Sequence, residues 1–186
     1  MQLISRLLLI VAVAALMSSC EKDNVLIDNG GEEKLTVVVN AITYTMPPKT
    51  SFRVQLEPGT HSFSIKGEDG KELEEGRFQV TEGGLLNAAK TEYLIWAEWY
   101  GDPSKKEETL KQEWIKVDDL EIYGEFIRIP GEDIFVEKQW DYSIDEELPE
   151  SVQAWEMGSK RWVIKRKLFR LDDAMQHYQT VSAPSP

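Results

Sequence analysis

From residue 35 to residue 169 the chain is a succession of short stretches rich in β-branched and aromatic residues, cut by Pro, Gly and Asp-Gly, with no sustained helical period. That pattern excludes a helical bundle and demands strands. In Phe52–Leu56 (FRVQL) and His61–Ile65 (HSFSI) apolar and polar residues alternate, and Leu35–Val39 (LTVVV) is almost wholly β-branched. Period two puts successive side chains on opposite sheet faces, so these read as half-buried strands. Pro47-Pro48 and Pro58-Gly59 fall between them, the second suited to a type II turn because Gly accepts positive φ. Asp69-Gly70 reads as the tip of a hairpin joining 61–65 to Gly76–Val80 (GRFQV).

Tyr93–Tyr100 (YLIWAEWY) is apolar on both faces except for Glu98, the pattern of a central strand covered on each side. Asp102–Glu113 is polar and reads as an exposed loop or a short helix opening after Pro103, which allows a sub-boundary near residues 101–113. Strand spacing resumes at Trp114–Val117, Leu120–Ile122, Phe126–Ile129 and Ile134–Trp140, with Pro130-Gly131 as a turn. Asp145–Pro149 (DEELP) reads as an acidic loop, Arg161–Phe169 as a further strand, and Leu171–Tyr178 as a short helix with acids in its first turn. A chain of 186 residues with six Trp, six Tyr and six Phe has apolar surface for one core, so the expectation is a single mainly β domain over residues 34–179. Its form is an antiparallel β-sandwich or a small barrel with a short C-terminal helix, and residues 180–186 form a disordered tail.

The N-terminus carries a different signal. Arg6 precedes an unbroken apolar run, Leu7–Leu16, and small Ser18 and Ser19 stand before Cys20. The order is that of a secretory signal peptide, and the run is too short to span a bilayer, which takes about 20 apolar residues. Met17-Ser18-Ser19-Cys20 resembles the lipobox of bacterial lipoproteins. The resemblance implies that residues 1–19 are removed and that Cys20 carries fatty acyl chains; the chain as a whole resembles the small lipoproteins of Gram-negative bacteria, which implies anchoring in the envelope at the outer membrane, facing periplasm or cell surface. Cys20 is the only cysteine, so no intramolecular disulfide competes for it. Glu21-Lys22-Asp23-Asn24 resembles the charged tags that follow the lipidated Cys in some surface lipoproteins, and residues 20–33 read as the lipidated Cys and its linker.

Candidate chemistry is sparse. His61 and His177 stand apart from any ordered acidic or Cys cluster and read as surface imidazoles rather than metal ligands. No G-x-S-x-G or Cys-His pattern suggests a nucleophile, and Gly30-Gly31 and Gly83-Gly84 lack the context of a phosphate loop. Paired acids at 32–33, 74–75, 107–108, 118–119, 146–147 and 172–173 read as solvated loops. Neighbours in a strand point to opposite faces, whereas glycoside hydrolysis needs two carboxyls facing one sugar. The expectation is therefore no enzyme, no metal and no cofactor. A net charge of -12 repels nucleic acid.

The aromatics remain. Trp96 and Trp99 belong to the most apolar strand and read as core, whereas Trp140, Tyr142 and Trp155, flanked by acids and loops, are the candidate ligand surface. Val54-Gln55-Leu56-Glu57-Pro58-Gly59-Thr60-His61 resembles the PEGA-type modules of bacterial surface proteins, which implies an immunoglobulin-like sandwich without catalytic residues. Two functions follow: an envelope lipoprotein that binds or assembles with another protein, or one that captures carbohydrate on exposed aromatics.

Overall fold

The computed structural model describes residues 24–117 and 120–182, with the backbone alone at 107, 181 and 182; the signal sequence, Cys20, most of the charged tag, Asp118-Asp119 and residues 183–186 lie outside. Among the described residues thirteen strands make four sheets, most of whose ladders are antiparallel, and no sheet closes into a barrel. The expectation of a mainly β, sandwich-type architecture with a short C-terminal helix holds.

Strands β1 (Val25–Asn29), β4 (Thr50–Val54), β7 (Gly84–Asn87) and β12 (Phe135–Glu137) form sheet A in the order β12-β7-β1-β4. Sheet B is β2 (Leu35–Val39), β3 (Ile42–Met46), β5 (Gly59–Lys66) and β6 (Glu72–Val80), in the order β3-β2-β5-β6. The two pack face to face over Val25, Ile27, Val37, Phe63, Ile65 and Leu86. Period-two burial in β2 matches the alternation of its sequence.

Residues 20–33 do not form a linker throughout. Val25–Asn29 is the strand between β4, antiparallel, and β7, parallel, and every one of its residues is buried. The physical reason is that both faces of sheet A are covered, so β1 needs no polar side. The Pro58-Gly59 expectation is also corrected. Gly59 does take positive φ, but at 147 rather than the roughly +80 of a type II turn, and because β4 lies in sheet A and β5 in sheet B the dipeptide carries the chain between layers. One hairpin of sheet B lies earlier, where Asn40-Ala41 joins β2 to β3 with Asn40 left-handed at φ 55. The Asp69-Gly70 hairpin does form: Gly70 has φ 78, and its N–H donates to Gly67 O at 3.0 Å.

The outer face of sheet A carries a third layer. Sheet C consists of β8 (Tyr93–Gly101), flanked antiparallel by β11 (Phe126–Ile129) and β13 (Trp162–Arg170). Leu26, Leu85 and Trp140 meet Tyr93, Ile95, Ile129 and Leu168 between the two sheets. The other face of β8 presents Leu94 and Trp96 to a hairpin, β9 (Glu113–Val117) with β10 (Leu120–Gly124), and to the C-terminal helix. β8 is thus covered on both sides along Tyr93–Ala97, as its composition predicted, while Glu98 and Tyr100 toward its end are half-buried. Two one-turn helices, α1 (Lys106–Thr109) and α2 (Ala154–Met157), flank sheet C, and α3 (Leu171–Ser182) follows β13 directly. Leu171, Ala174, Met175 and Tyr178 recur at helical spacing and pack on sheet C, while Asp172 and Asp173 favour the positive N-terminal end. No helix among the described residues is long and apolar enough to cross a membrane.

Strands from before and after residues 102–112 share sheets A and C, and β12 edges β7 closely enough that a Cβ on Gly84 would come within 2.7 Å of the Phe135 ring. A buried polar knot ties the layers. Arg170, ending β13, donates from Nη2 to Asp28 Oδ1 at 2.5 Å and from Nε to Oδ2 at 3.1 Å. Tyr93 donates its hydroxyl to Asp28 Oδ2 at 2.7 Å. Asn87 Nδ2 reaches Thr91 O and Gly131 O, so one amide pins two loops.

Candidate functional site

Strand alternation on β8 sends Trp96, Glu98 and Tyr100 to the face of sheet C turned away from sheet A. Along this stretch they form the floor of a cleft of about 930 Å3. Tyr123 and Gly124 at the end of β10 form one wall, and Leu148–Glu150 form another. His177 and Tyr178 of α3 close one end; Pro103, Lys106 and Gln112 line the side beyond β8. The volume lies at the upper end of the range for small-molecule sites, about 300–1,000 Å3.

The walls are fixed. Tyr100 donates its hydroxyl to Pro149 O at 2.6 Å, and Lys167, almost wholly buried, donates from Nζ to Glu146 O. Arg53 of β4 grips Asp145 through two hydrogen bonds, of 2.6 and 3.0 Å. The acidic loop is therefore a strap bolted at three points, and Glu146 is not merely a solvated acid: its Oε2 accepts from Ser143 N at 2.7 Å. The floor is rigid because β8 is paired on both sides and covered from behind. Trp96 stands edge-on to the His177 ring, centroids 5.1 Å apart, and to Phe126 at 5.0 Å.

Burial shapes the titrating groups here. Desolvation lowers the pKa of His177 against a weaker opposing pull from Glu98, so its ring is neutral at pH 7 and can donate at one nitrogen and accept at the other. His177 is half-buried against Trp96 and Phe169, which corrects its reading as a surface imidazole. Tyr100 is pushed up to about 12 by desolvation first, then by Glu98 and Tyr142. It stays protonated as a donor. His61 bridges Glu57 O and Asn40 at the rim of sheet B, remote from this cleft in its contacts.

An aromatic lip extends the cleft outward. Trp114 and Tyr123 are cross-strand partners in the β9-β10 hairpin, their rings 5.1 Å apart, and they are 64% and 42% exposed. The opposite face of that hairpin, Ile115, Val117 and Ile122, is anchored in the core, which holds the exposed pair in place.

The sequence-expected surface does not assemble. Trp140 is 5% exposed in the core between sheets A and C, its indole N–H donating to Ser143 Oγ at 3.2 Å, so it shows no face to a ligand. Its acidic neighbour Asp141 points outward while Trp140 points in. Tyr142 is half-buried, bridged to Lys167 on β13 and close enough to Tyr100 to raise its pKa. Trp155 is 79% exposed on α2, outside the cleft lining. Trp96 and Trp99 are core residues as expected. The cleft residues Glu98, Tyr123 and His177, and Trp114 on the lip beside Tyr123, were not singled out from sequence as a surface, although Glu98, the one charge in YLIWAEWY, marks the face of β8 that is not fully covered. Cys20 lies outside the described residues. Among the described residues no group of three or more His, Cys, Asp or Glu side chains is placed to hold a metal ion. Comparisons of the chain with protein-family models, with curated proteins and with solved structures return no match.

Proposed function

We propose that this chain is an envelope lipoprotein, tethered to the outer membrane through lipid on Cys20, that works as a non-enzymatic binding module. The observation that carries the reading is the cleft on sheet C, whose floor and strap are held by hydrogen bonds and ion pairs before any ligand arrives. Preformed walls spare a ligand the cost of ordering loops and side chains on binding. The tether rests on the apolar run Leu7–Leu16 and the lone Cys20 after it. Two or three acyl chains give stable anchoring where one gives only reversible binding, at about 0.8 kcal/mol for each buried CH2. A protein occupant would make the module an assembly factor, and a glycan occupant a capture protein.

Both parts can be tested on the full chain. Metabolic labelling with a fatty-acid probe should mark the wild type and not Cys20→Ala; label persisting in that variant refutes the tether. Affinity capture from solubilised envelope should retain a partner or glycan on the wild type that the double variant Trp114→Ala/Tyr123→Ala loses. Identical retention by both proteins refutes the cleft as the working surface.

A further inference from the structure

Resting on that reading, we propose that the cleft and its lip bind an uncharged oligosaccharide, with Trp114 and Tyr123 stacking on the flat faces of sugar rings and the polar side chains of the cleft holding their hydroxyls.

The lining chemistry separates this occupant from a peptide. Among the described residues Leu148 is the one branched aliphatic side chain that lines the cleft; its other large apolar surfaces are aromatic rings. An amphipathic peptide helix lays its apolar face into a hydrophobic groove, and this lining supplies one branched aliphatic side chain to such a groove. A ring face carries negative potential that attracts the slightly positive C–H groups of a pyranose, and Trp and Tyr join this apolar face to a polar tip. The exposed pair lies on a two-stranded antiparallel hairpin, which holds both rings with little ordering cost.

Hydrogen-bonding groups line the same cleft. Glu98 on the floor and Glu150 on the strap accept, Gln112 both donates and accepts, and the neutral His177 imidazole does the same. Sugar hydroxyls are themselves donors and acceptors, so mixed groups suit them better than a single-sign cluster. Charge excludes the acidic sugars. Glu98, Glu150 and nearby Glu147 outweigh Lys106 and the buried Lys167 around the cleft, and the chain as a whole carries -12, so uronic acids, sialic acids and phosphorylated glycans are repelled.

The full chain, purified in a polyoxyethylene detergent so that no sugar headgroup competes, is titrated with maltohexaose, cellohexaose, xylohexaose and mannohexaose, and with oligogalacturonate as the charged control. Calorimetry and intrinsic Trp fluorescence are read together. The expected result is saturable binding of at least one neutral hexasaccharide and none of oligogalacturonate. Trp114→Ala should weaken that binding about two- to tenfold, the worth of a single aromatic contact. Trp155→Ala, exposed but outside the cleft, should leave it unchanged, and unaltered melting temperatures in both variants exclude misfolding. The proposal is overturned if no neutral hexasaccharide binds, if oligogalacturonate binds as well as they do, or if Trp155→Ala rather than Trp114→Ala weakens binding. A null titration with an envelope protein still captured by the wild type and lost by Trp114→Ala/Tyr123→Ala overturns the glycan and keeps the binding module; a null titration with no such difference overturns both.

Discussion

Arg170→Met should destabilise the protein more than any exposed substitution, because it strands a carboxylate with no route to water. The Asp28 side chain has no exposed surface, and it accepts two hydrogen bonds from Arg170, at 2.5 and 3.1 Å, and one from Tyr93, at 2.7 Å. Met keeps much of the Arg volume and removes only the cation. Breaking a buried, hydrogen-bonded ion pair from one side costs about 3–5 kcal/mol. For a domain of this size that lowers Tm by about 6–20 °C, and it consumes a large share of a total stability of about 5–15 kcal/mol. The reverse change, Asp28→Asn, should cost less, because Arg170 keeps 12% exposure and has Asp173 at 3.6 Å as a second partner. Replacing both, Asp28→Leu with Arg170→Met, removes the uncompensated charge and should recover part of the loss. Urea unfolding followed by far-ultraviolet circular dichroism measures all four proteins. A cost below about 1 kcal/mol for Arg170→Met, or a double variant no better than the worse single one, would falsify the claim that this pair is buried and coupled.

Other perturbations read other parts of the fold. Trp140→Ala should cost about 3–5 kcal/mol, the range for emptying a large aromatic site in a core, whereas Trp155→Ala should stay within about 0.5 kcal/mol; equal effects in denaturant melts would contradict their exposures of 5% and 79%. Desolvation first, then the Asp28 carboxylate, raises the pKa of Tyr93 well above its ordinary value. A raised folded-state pKa contributes stability that is complete below the unfolded value of about 10 and is lost as pH climbs from there toward the folded value. Wild type should therefore lose stability above about pH 10 more steeply than Tyr93→Phe, and parallel curves for the two would refute the buried phenol.

The sequence carried the strands whose pattern is local and missed those whose partners are distant. YLIWAEWY reads as a doubly covered strand because seven of its eight residues are apolar, and β8 is the strand paired on both sides in sheet C. Val25–Asn29 did not read as a strand because its apolar run stops at Ile27 and Asp28-Asn29 looks like solvated linker. What buries those polar residues is Arg170, 142 positions away, and the carbonyls of Glu33, Met46 and Pro47 that Asn29 reaches. Trp140 was misplaced by its acidic neighbourhood, although alternation held the answer: Gln139 and Asp141 are exposed and Trp140 between them is not. The cleft escaped because its floor, strap and closing helix come from residues 96–100, 148–150 and 177–178, and only packing of α3 on sheet C brings them together.

The position of β1 bears on how the molecule would withstand force. A pull through residue 24 arrives at the inner strand of sheet A, with its ladders to β4 and β7 lying across the direction of tension. Those hydrogen bonds would be sheared together rather than peeled one after another, so the strand resists until the whole ladder yields. The Asp28–Arg170 pair passes the same tension into sheet C, whose opposite face bears the cleft. If the chain is tethered through Cys20 as proposed, a ligand pulled away from the membrane would strain a continuous path from the lip to β1.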